Sequence, residues 1–285
     1  MLKKQDIVVV AVLYNTFPEA VRYIESLAKT GKGRIQLILV DNSNLPAPGS
    51  FTRLLQQFDF IEYLKTGSNP GYFHGARYGL DHYLDLFKEY PAWTFVTNVD
   101  IVFEGDRILD VLSRFENRPD LGVIAPAIIS HRWKTDYNPE RIRRYSGARI
   151  RFYQAVCSHY LINNAYTLLS YFSHFLRGLV TPQRVAKPGD VPDQQVKKIY
   201  APHGACILFH RNYFIRGGTL DHFSFLFGEE IFVAETAMKL GLEVLYVPGI
   251  RLTNFEHASV GHFVTPRLNR YHRDALKAVR QLYYG

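Results

Sequence analysis

Cysteine is nearly absent: Cys157 and Cys206 are the only two in 285 residues, and they form no Cys-x-x-Cys pair. That excludes a disulfide-stapled scaffold and a thiolate zinc site, and leaves two thiols expected to be buried in a reducing compartment. No run approaches the roughly 20 apolar residues of a membrane-spanning helix. The polar residues 1–6 lead into only the short apolar run 7–13, too little for a secretory h-region with a cleavage site. Glycine-rich phosphate loops are missing too. No Gly-x-Gly-x-x-Gly follows the first apolar run and no Gly-x-x-x-x-Gly-Lys occurs anywhere, which argues against dinucleotide oxidoreductases and nucleoside triphosphatases. The last absence is local: between Glu140 and Asp190 there is no acidic residue.

What is present is a globular composition, 47% hydrophobic with 20 Phe and 19 Tyr, far too apolar and aromatic for a disordered basic chain. The net charge of +8 is unevenly spread: −2 over residues 1–130, +8 over 131–199, −2 over 200–261 and +4 over 262–285. Arg141, Arg143, Arg144, Arg149 and Arg151 open the acid-free stretch, as suits a surface for nucleic acid, anionic lipid headgroups or a phosphorylated substrate. Within it, Leu161, Ala165, Leu168, Leu169, Phe172, Phe175, Leu176 and Leu179 follow helical spacing, with Asn163, Thr167, Ser170, His174 and Arg177 opposite. The pattern predicts an amphipathic helix with basic flanks, packed on its own domain or lying in a membrane interface. Nucleic acid is disfavoured, because no helix-turn-helix, zinc-finger or RNA-recognition signature accompanies the charge.

Short apolar runs alternate with helical spacing over the first 130 residues, the pattern of a parallel α/β sheet. Strands are predicted at 7–13, 35–40, 61–64, 93–97 and 121–125, with helices opening at Pro18 and spanning 73–87. After the basic stretch, strands at 205–209 and 243–247 flank a helix at 229–240, and Pro248-Gly249 closes the last strand. Residues 131–199 therefore look inserted into one α/β domain. The alternating Phe223, Phe225 and Phe227 predict core packing.

Open α/β sheets bind ligands beyond the carboxyl ends of their strands. Three such ends carry polar sets here: Tyr14-Asn15, Asp41-Asn42-Ser43 and Asn98-Val99-Asp100. With Asn69-Pro70-Gly71, Gly204-Ala205, Gly228-Glu229-Glu230 and then His257, this ordered set resembles the inverting family 2 glycosyltransferases of glycosyltransferase-A fold, in particular the rhamnosyltransferase-like branch of bacterial polysaccharide enzymes. The likeness covers residues 6–130 and 200–261. It implies one α/β domain with a mostly parallel central sheet flanked by helices. Residues 1–130 would be the nucleotide-sugar half and 200–261 the acceptor-binding and catalytic half. The basic insert 131–199 and the basic helical tail 262–285 lie outside it.

The resemblance also implies roles. Asp41 would accept hydrogen bonds from the nucleotide base, Tyr14 and Asn15 would line its pocket, and the loop at Asn69 and Gly71 would approach the nucleotide, with glycine leaving room for backbone. Asp100 matches the last acid of the family's Asp-x-Asp motif and would hold a divalent cation, Mn²⁺ or Mg²⁺, against the diphosphate. Asn98, in place of the motif's first acid, suits the ribose. His257 would complete the metal site, with His262 the alternative and imidazole favouring Mn²⁺. Gly204 would belong to the donor pocket, which His203 before it is expected to face. Glu230, or its neighbour Glu229, would be the base that deprotonates the acceptor, since one base suffices for a single displacement. Asp221-His222 departs from the branch's usual Asp-Glu.

The expected activity is metal-dependent transfer, with inversion, of a sugar from dTDP-rhamnose or a UDP-hexose to a lipid-linked bacterial glycan. The enzyme would be cytoplasmic and peripheral on the inner face of the plasma membrane, docking on anionic lipid through 131–199 and 262–285. The rivals are a sugar nucleotidyltransferase and a non-catalytic binding module of the same fold.

Overall fold

The computed structural model describes residues 3–31, 33–169, 195–255 and 264–285. His257, His262 and the part of the amphipathic pattern beyond residue 169 lie outside them. The apolar run β1 (Ile7–Leu13) is buried at all seven positions, as is β2 (Ile35–Asp41). A strand with both faces covered has no need of polar alternation. Val8, Val10 and Val12 face one core, and Ile7, Val9, Ala11 and Leu13 the other. Each fully buried Val or Leu contributes on the order of 1.5–3 kcal/mol, so this strand alone ties the two cores together.

The other strands are β3 (Ile61–Lys65), β4 (Trp93–Asn98), β5 (Ile101–Glu104), β6 (Leu121–Ser130), β7 (Lys197–Ile199), β8 (Cys206–His210) and β9 (Glu243–Asn254). They form a nine-stranded sheet in the order β3-β2-β1-β4-β8-β6-β9-β5, with β7 added against β9. β3, β2, β1 and β4 pair in parallel, as do β6 and β9, while β8 runs antiparallel between β4 and β6. β9 does not stop at Pro248-Gly249. The β6–β9 register shifts at Pro126/Ala127, where the partner changes from Val247 to Arg251; the intervening residues are accommodated as an irregularity and pairing resumes with β5.

Helices α1 (Phe17–Gly31), α2 (Gly49–Leu55) and α4 (Ile108–Ser113) cover one face; α3 (Tyr72–Phe87), α7 (Arg211–Ile215) and α8 (Glu229–Lys239) cover the other. The basic stretch supplies α5 (Gly147–Val156), opened by Ser146, whose hydroxyl accepts from the Arg149 N–H, and a helical segment over 160–169, α6. The tail forms α9 (Pro266–Tyr283), capped by Thr265. α9 packs against α5 and α8, where Val279 meets Ile150 and Ile231. Both cysteines are buried, as expected.

α6 sits the opposite way round from a core helix. Asn163 is buried, its amide donating to Asn269 Oδ1 at 2.8 Å, while Asn269 donates to the Cys157 carbonyl at 2.9 Å. Leu161, Leu168 and Leu169 are exposed. The polar edge of the helix thus docks on α9 and the apolar edge turns outward.

The arginine cluster is only partly a surface. Arg144 binds Glu235, itself 5% exposed, through Nε at 2.6 Å and Nη2 at 3.0 Å, and also the Tyr283 carbonyl at 2.8 Å. The Tyr200 hydroxyl donates to the same carboxylate at 2.6 Å. Arg141 and Arg149 lie over the rings of Tyr145 and Tyr153. Arg144→Ala is expected to cost about 1–3 kcal/mol, below the full cost of breaking a buried pair because the arginine is part-exposed. Urea denaturation measures this, and limited proteolysis should show earlier cutting in α9; unchanged stability and an unchanged cutting pattern would refute this role for Arg144.

Candidate active site

The register of three parallel strands brings their polar ends to one edge. Leu13 lies opposite Asp41 and Val12 opposite Asn98, while Thr97 faces Cys206 at the start of antiparallel β8. Residues 14–16, 42–43, 98–100 and 203–205 therefore share that edge. A cleft of about 400 Å³ opens there, walled by Tyr14, Asn42, Asn69, Gly71, Asn98, Asp100, His203, Gly204, Glu229 and Glu230. Most of the expected site residues are thus brought together.

Asp41 and Asn15 are not on that wall. Asp41 is fully buried; Oδ1 accepts from the Ser43 N–H at 2.8 Å, and Oδ2 from Lys65 at 2.9 Å and the Tyr63 hydroxyl. Its carboxylate is engaged in holding the end of β3 to the end of β2. Asn15, at φ 56°, braces the next loop, its N–H donating to Ser43 Oγ at 2.7 Å and its amide to Asn44 at 2.7 Å. In Asp41's stead the cleft meets Asn42, whose amide donates to the Gly71 carbonyl at 3.0 Å.

Gly71 is required for a different reason from the one expected. At φ 98° and ψ 177° it occupies backbone space that is almost exclusive to glycine, and a Cβ there would stand 2.2 Å from the Phe225 carbonyl oxygen. The close neighbour is the protein's own chain. Gly204 is constrained likewise: its N–H donates to Glu230 Oε1 at 3.2 Å, and a Cβ would meet that oxygen at 2.7 Å.

Glu229 and Glu230 open α8 after Gly228, which is left-handed at φ 88°. Glu229 is 5% exposed and accepts from the Phe227 N–H at 3.0 Å. Burial, and then the charge of Glu230, push its carboxyl up to about 8. Burial also raises Glu230, against the backbone N–H groups of Gly204 and Glu230 itself. Glu230 lines a second cavity as well, of about 280 Å³, between Glu140, Arg141 and Tyr153 on one side and His272, Leu276 and Val279 of α9 on the other. There the Glu140 carboxyl is pushed up to about 7 by burial and by Glu230.

His203 faces the cleft as expected, stacked on Tyr137 at 5.1 Å, with Nδ1 accepting from the Ala205 N–H at 3.2 Å. Asp221 instead turns to α3, pairing with Arg77 at 2.6 Å. Of the phenylalanines only Phe223 joins the core; Phe225 and Phe227 line the cleft and pack on Tyr271 and His272 of α9. Sequence patterning missed the contribution of α9 altogether: Thr265, Arg267, Leu268 and Tyr271 complete the cleft wall.

For a cation, the described residues offer no group of three His, Cys, Asp or Glu side chains. Asp100 is half-buried on the wall, and the Phe255 N–H donates to its carbonyl at 2.8 Å, which brings the end of β9 to this point. One carboxylate with substrate phosphates is an ordinary way to hold Mg²⁺ or Mn²⁺, so the donor set fits a cation that arrives with a diphosphate.

No family model matches the sequence. Over 274 residues, 93% of this chain and 81% of the relative, it is 23% identical to the N-acetylglucosaminyl-diphospho-decaprenol L-rhamnosyltransferase of Mycobacterium tuberculosis, in two strains. The fold matches a crystal structure of GalNAc-T7 with UDP, GalNAc and Mn²⁺ at TM-score 0.64 and 12% identity, over 98% of this chain. The fold is glycosyltransferase-A. This chain spans about half of that structure, 48%. The mannosyltransferase PcManGT from Pyrobaculum calidifontis, in complex with GDP-Man and Mn²⁺, matches at TM-score 0.53 and 13% identity, with 98% of this chain and 67% of that one covered. Sequence and fold together support a glycosyltransferase, similar in sequence to a rhamnosyltransferase.

The raised Glu229 carboxyl has a sign that can be checked. Its folded value near 8 lies above the ordinary 4.5, so its contribution to stability is complete below about pH 4.5 and is lost as pH rises through about 8. Glu229→Gln carries no such loss. The melting temperature of the variant minus that of the unaltered chain should therefore climb steadily between about pH 5 and 8.5; a flat difference would show that Glu229 is not held protonated by its surroundings.

Proposed function

We propose that this chain transfers a sugar, with inversion, from a nucleoside-diphosphate sugar to a hydroxyl of a lipid-linked glycan. The observation that carries the reading is Glu230: this one residue, whose carboxyl accepts from the Gly204 N–H, lines both the cleft containing Asp100 and the second cavity. A donor in the cleft and an acceptor entering from the second cavity would meet at that carboxyl, on opposite sides of the anomeric carbon. Glu230 takes the acceptor's proton, the acceptor oxygen attacks that carbon, and the nucleoside diphosphate leaves from the opposite face.

Glu229 assists by staying protonated. Its value near 8 spares the site a second adjacent negative charge beside Glu230, the proposed base. Asp100 is the carboxylate that would hold the cation, with His257 as a second ligand from outside the described residues. A bound cation would supply positive charge to the departing diphosphate. Tyr14, Asn42 and Asn69 wall the base and ribose side, with Asn98 toward the ribose, and Asp41 supports that side from beneath through Lys65 and Tyr63.

The donor reading is dTDP-rhamnose or a UDP-hexose. Rhamnose is favoured by the mycobacterial relative, whose name also gives a diphospho-decaprenol acceptor. Glu230→Gln should lower turnover by about 10²- to 10⁴-fold without weakening nucleoside-diphosphate binding. Asp100→Ala should abolish the extra thermal stabilisation that Mn²⁺ gives in the presence of UDP or dTDP. Full donor turnover in both variants removes these roles.

An anionic membrane as partner is supported by the outward leucines of α6 together with the exposed Arg143, Arg151, Arg270 and Arg273. Among the described residues no helix is long and apolar enough to cross a membrane. The chain is expected to sediment with phosphatidylglycerol vesicles at low salt, and Leu161→Asp with Leu168→Asp should reduce the bound fraction several-fold. No sedimentation, or none lost in the double variant, rejects the surface.

A further inference from the structure

The cleft is short of positive charge for the ligand proposed. Besides the protonated Glu229, its wall carries the carboxyl groups of Asp100 and Glu230, and a nucleoside-diphosphate group would bring at least two negative charges to them. One divalent cation on Asp100 offsets only part of this. Among the described residues of the wall, Arg267 is the single Lys or Arg side chain. It comes from α9, outside the stretches that resemble the family, so no motif pointed to it.

Several contacts fix its place. Arg267 Nε donates to the Tyr271 hydroxyl at 3.0 Å, and the guanidinium lies 5.8 Å from the Tyr271 ring centre. Tyr271 packs on Phe225 at 4.8 Å, and the Phe225 carbonyl closes on Gly71. Two residues along α9, Asn269 is buried and bonded to Asn163 and to Cys157. Tyr14, at the end of β1, lines the same cleft as Arg267. With Nε engaged by Tyr271, the donors at the two Nη atoms are the ones presented to a ligand. A planar fork of this kind matches phosphate oxygens two at a time.

We propose that Arg267 binds the diphosphate of the donor and stabilises the nucleoside diphosphate as it leaves; the inference rests on the sugar-transfer reading above. Part of the tail's positive charge then belongs to the active site.

The test is titration of the full chain with UDP and dTDP in the presence of Mn²⁺, and with uridine and thymidine by ligand-observed NMR. Arg267→Ala should weaken the diphosphates about ten- to a hundred-fold, the range of charge-assisted hydrogen bonds, and leave the nucleosides unchanged. Arg267→Lys should recover part of the loss. Lys239→Ala, at the exposed far end of α8 and away from the cleft wall, should bind like the unaltered chain. Undiminished diphosphate binding by Arg267→Ala overturns the assignment alone, as does an equal loss for nucleosides and diphosphates. Failure of the unaltered chain to bind either diphosphate overturns the sugar-transfer reading and this inference together.

Discussion

β1 is paired along its length on both sides, and its two ladders end within one residue of each other. Leu13 stands opposite Asp41 and Val12 opposite Asn98. A slip of one residue in either ladder would turn every side chain of that strand to the other face and put valines where the opposite core expects them. Because both faces are fully buried, that slip is forbidden, and the polar residues just beyond the strands have nowhere to go but one line at the sheet edge. β8 completes the line from the other direction: its antiparallel pairing with β4 brings Gly204 to the place where β4 ends, and the Asn98 N–H donates to the Ala205 carbonyl at 3.0 Å. The cleft is the consequence of register.

Once Gly204 is at that edge, the carboxyl pair on α8 follows. A carboxylate held against a low-dielectric wall costs several kcal/mol unless N–H groups meet it. Gly204 supplies one to Glu230, and only because it lacks a Cβ that would occupy the same oxygen's space. Glu229, deeper and met by the Phe227 N–H, resolves the conflict with its neighbour by keeping its proton. Two adjacent acids of one sequence thereby acquire different surroundings, from their depth and from the N–H groups that meet them.

The sheet and the polar edge that walls the cleft were legible in the sequence because they rest on local signals: buried apolar runs and the polar residues that end them. The continuation of β9 past Pro248-Gly249 was not, since a register irregularity opposite β6 is a property of two strands together. Asp41 looked like a ligand acceptor because its type and position are right. Only the fold shows that Lys65 and Tyr63, from the end of the adjacent strand, have already claimed its carboxylate. Gly71 was correctly singled out for close approach, yet the approaching backbone is that of Phe225, more than 150 residues away in the chain. The amphipathic pattern around residues 161–169 was visible, whereas its orientation was not. Hydropathy favours burying the leucines, and the buried Asn163–Asn269 pair turns the helix the other way.

The tail most changes what the charge distribution means. Its exposed basic residues fit a lipid surface, but the same helix also walls both cavities. Arg267 and Tyr271 line the cleft, while His272, Leu276 and Val279 line the cavity beyond Glu230. Phe225 and Phe227 connect the helix to these two sides. The first packs on Tyr271, and the second stacks on His272 at 3.5 Å, where burial lowers the imidazole to about 4 and keeps it neutral against the ring. An alternating pair that sequence periodicity assigns to a core thus grips one helix at two successive residues. A shift of α9 cannot move one wall without the other, so the shapes of the two cavities on either side of Glu230 are coupled through this helix.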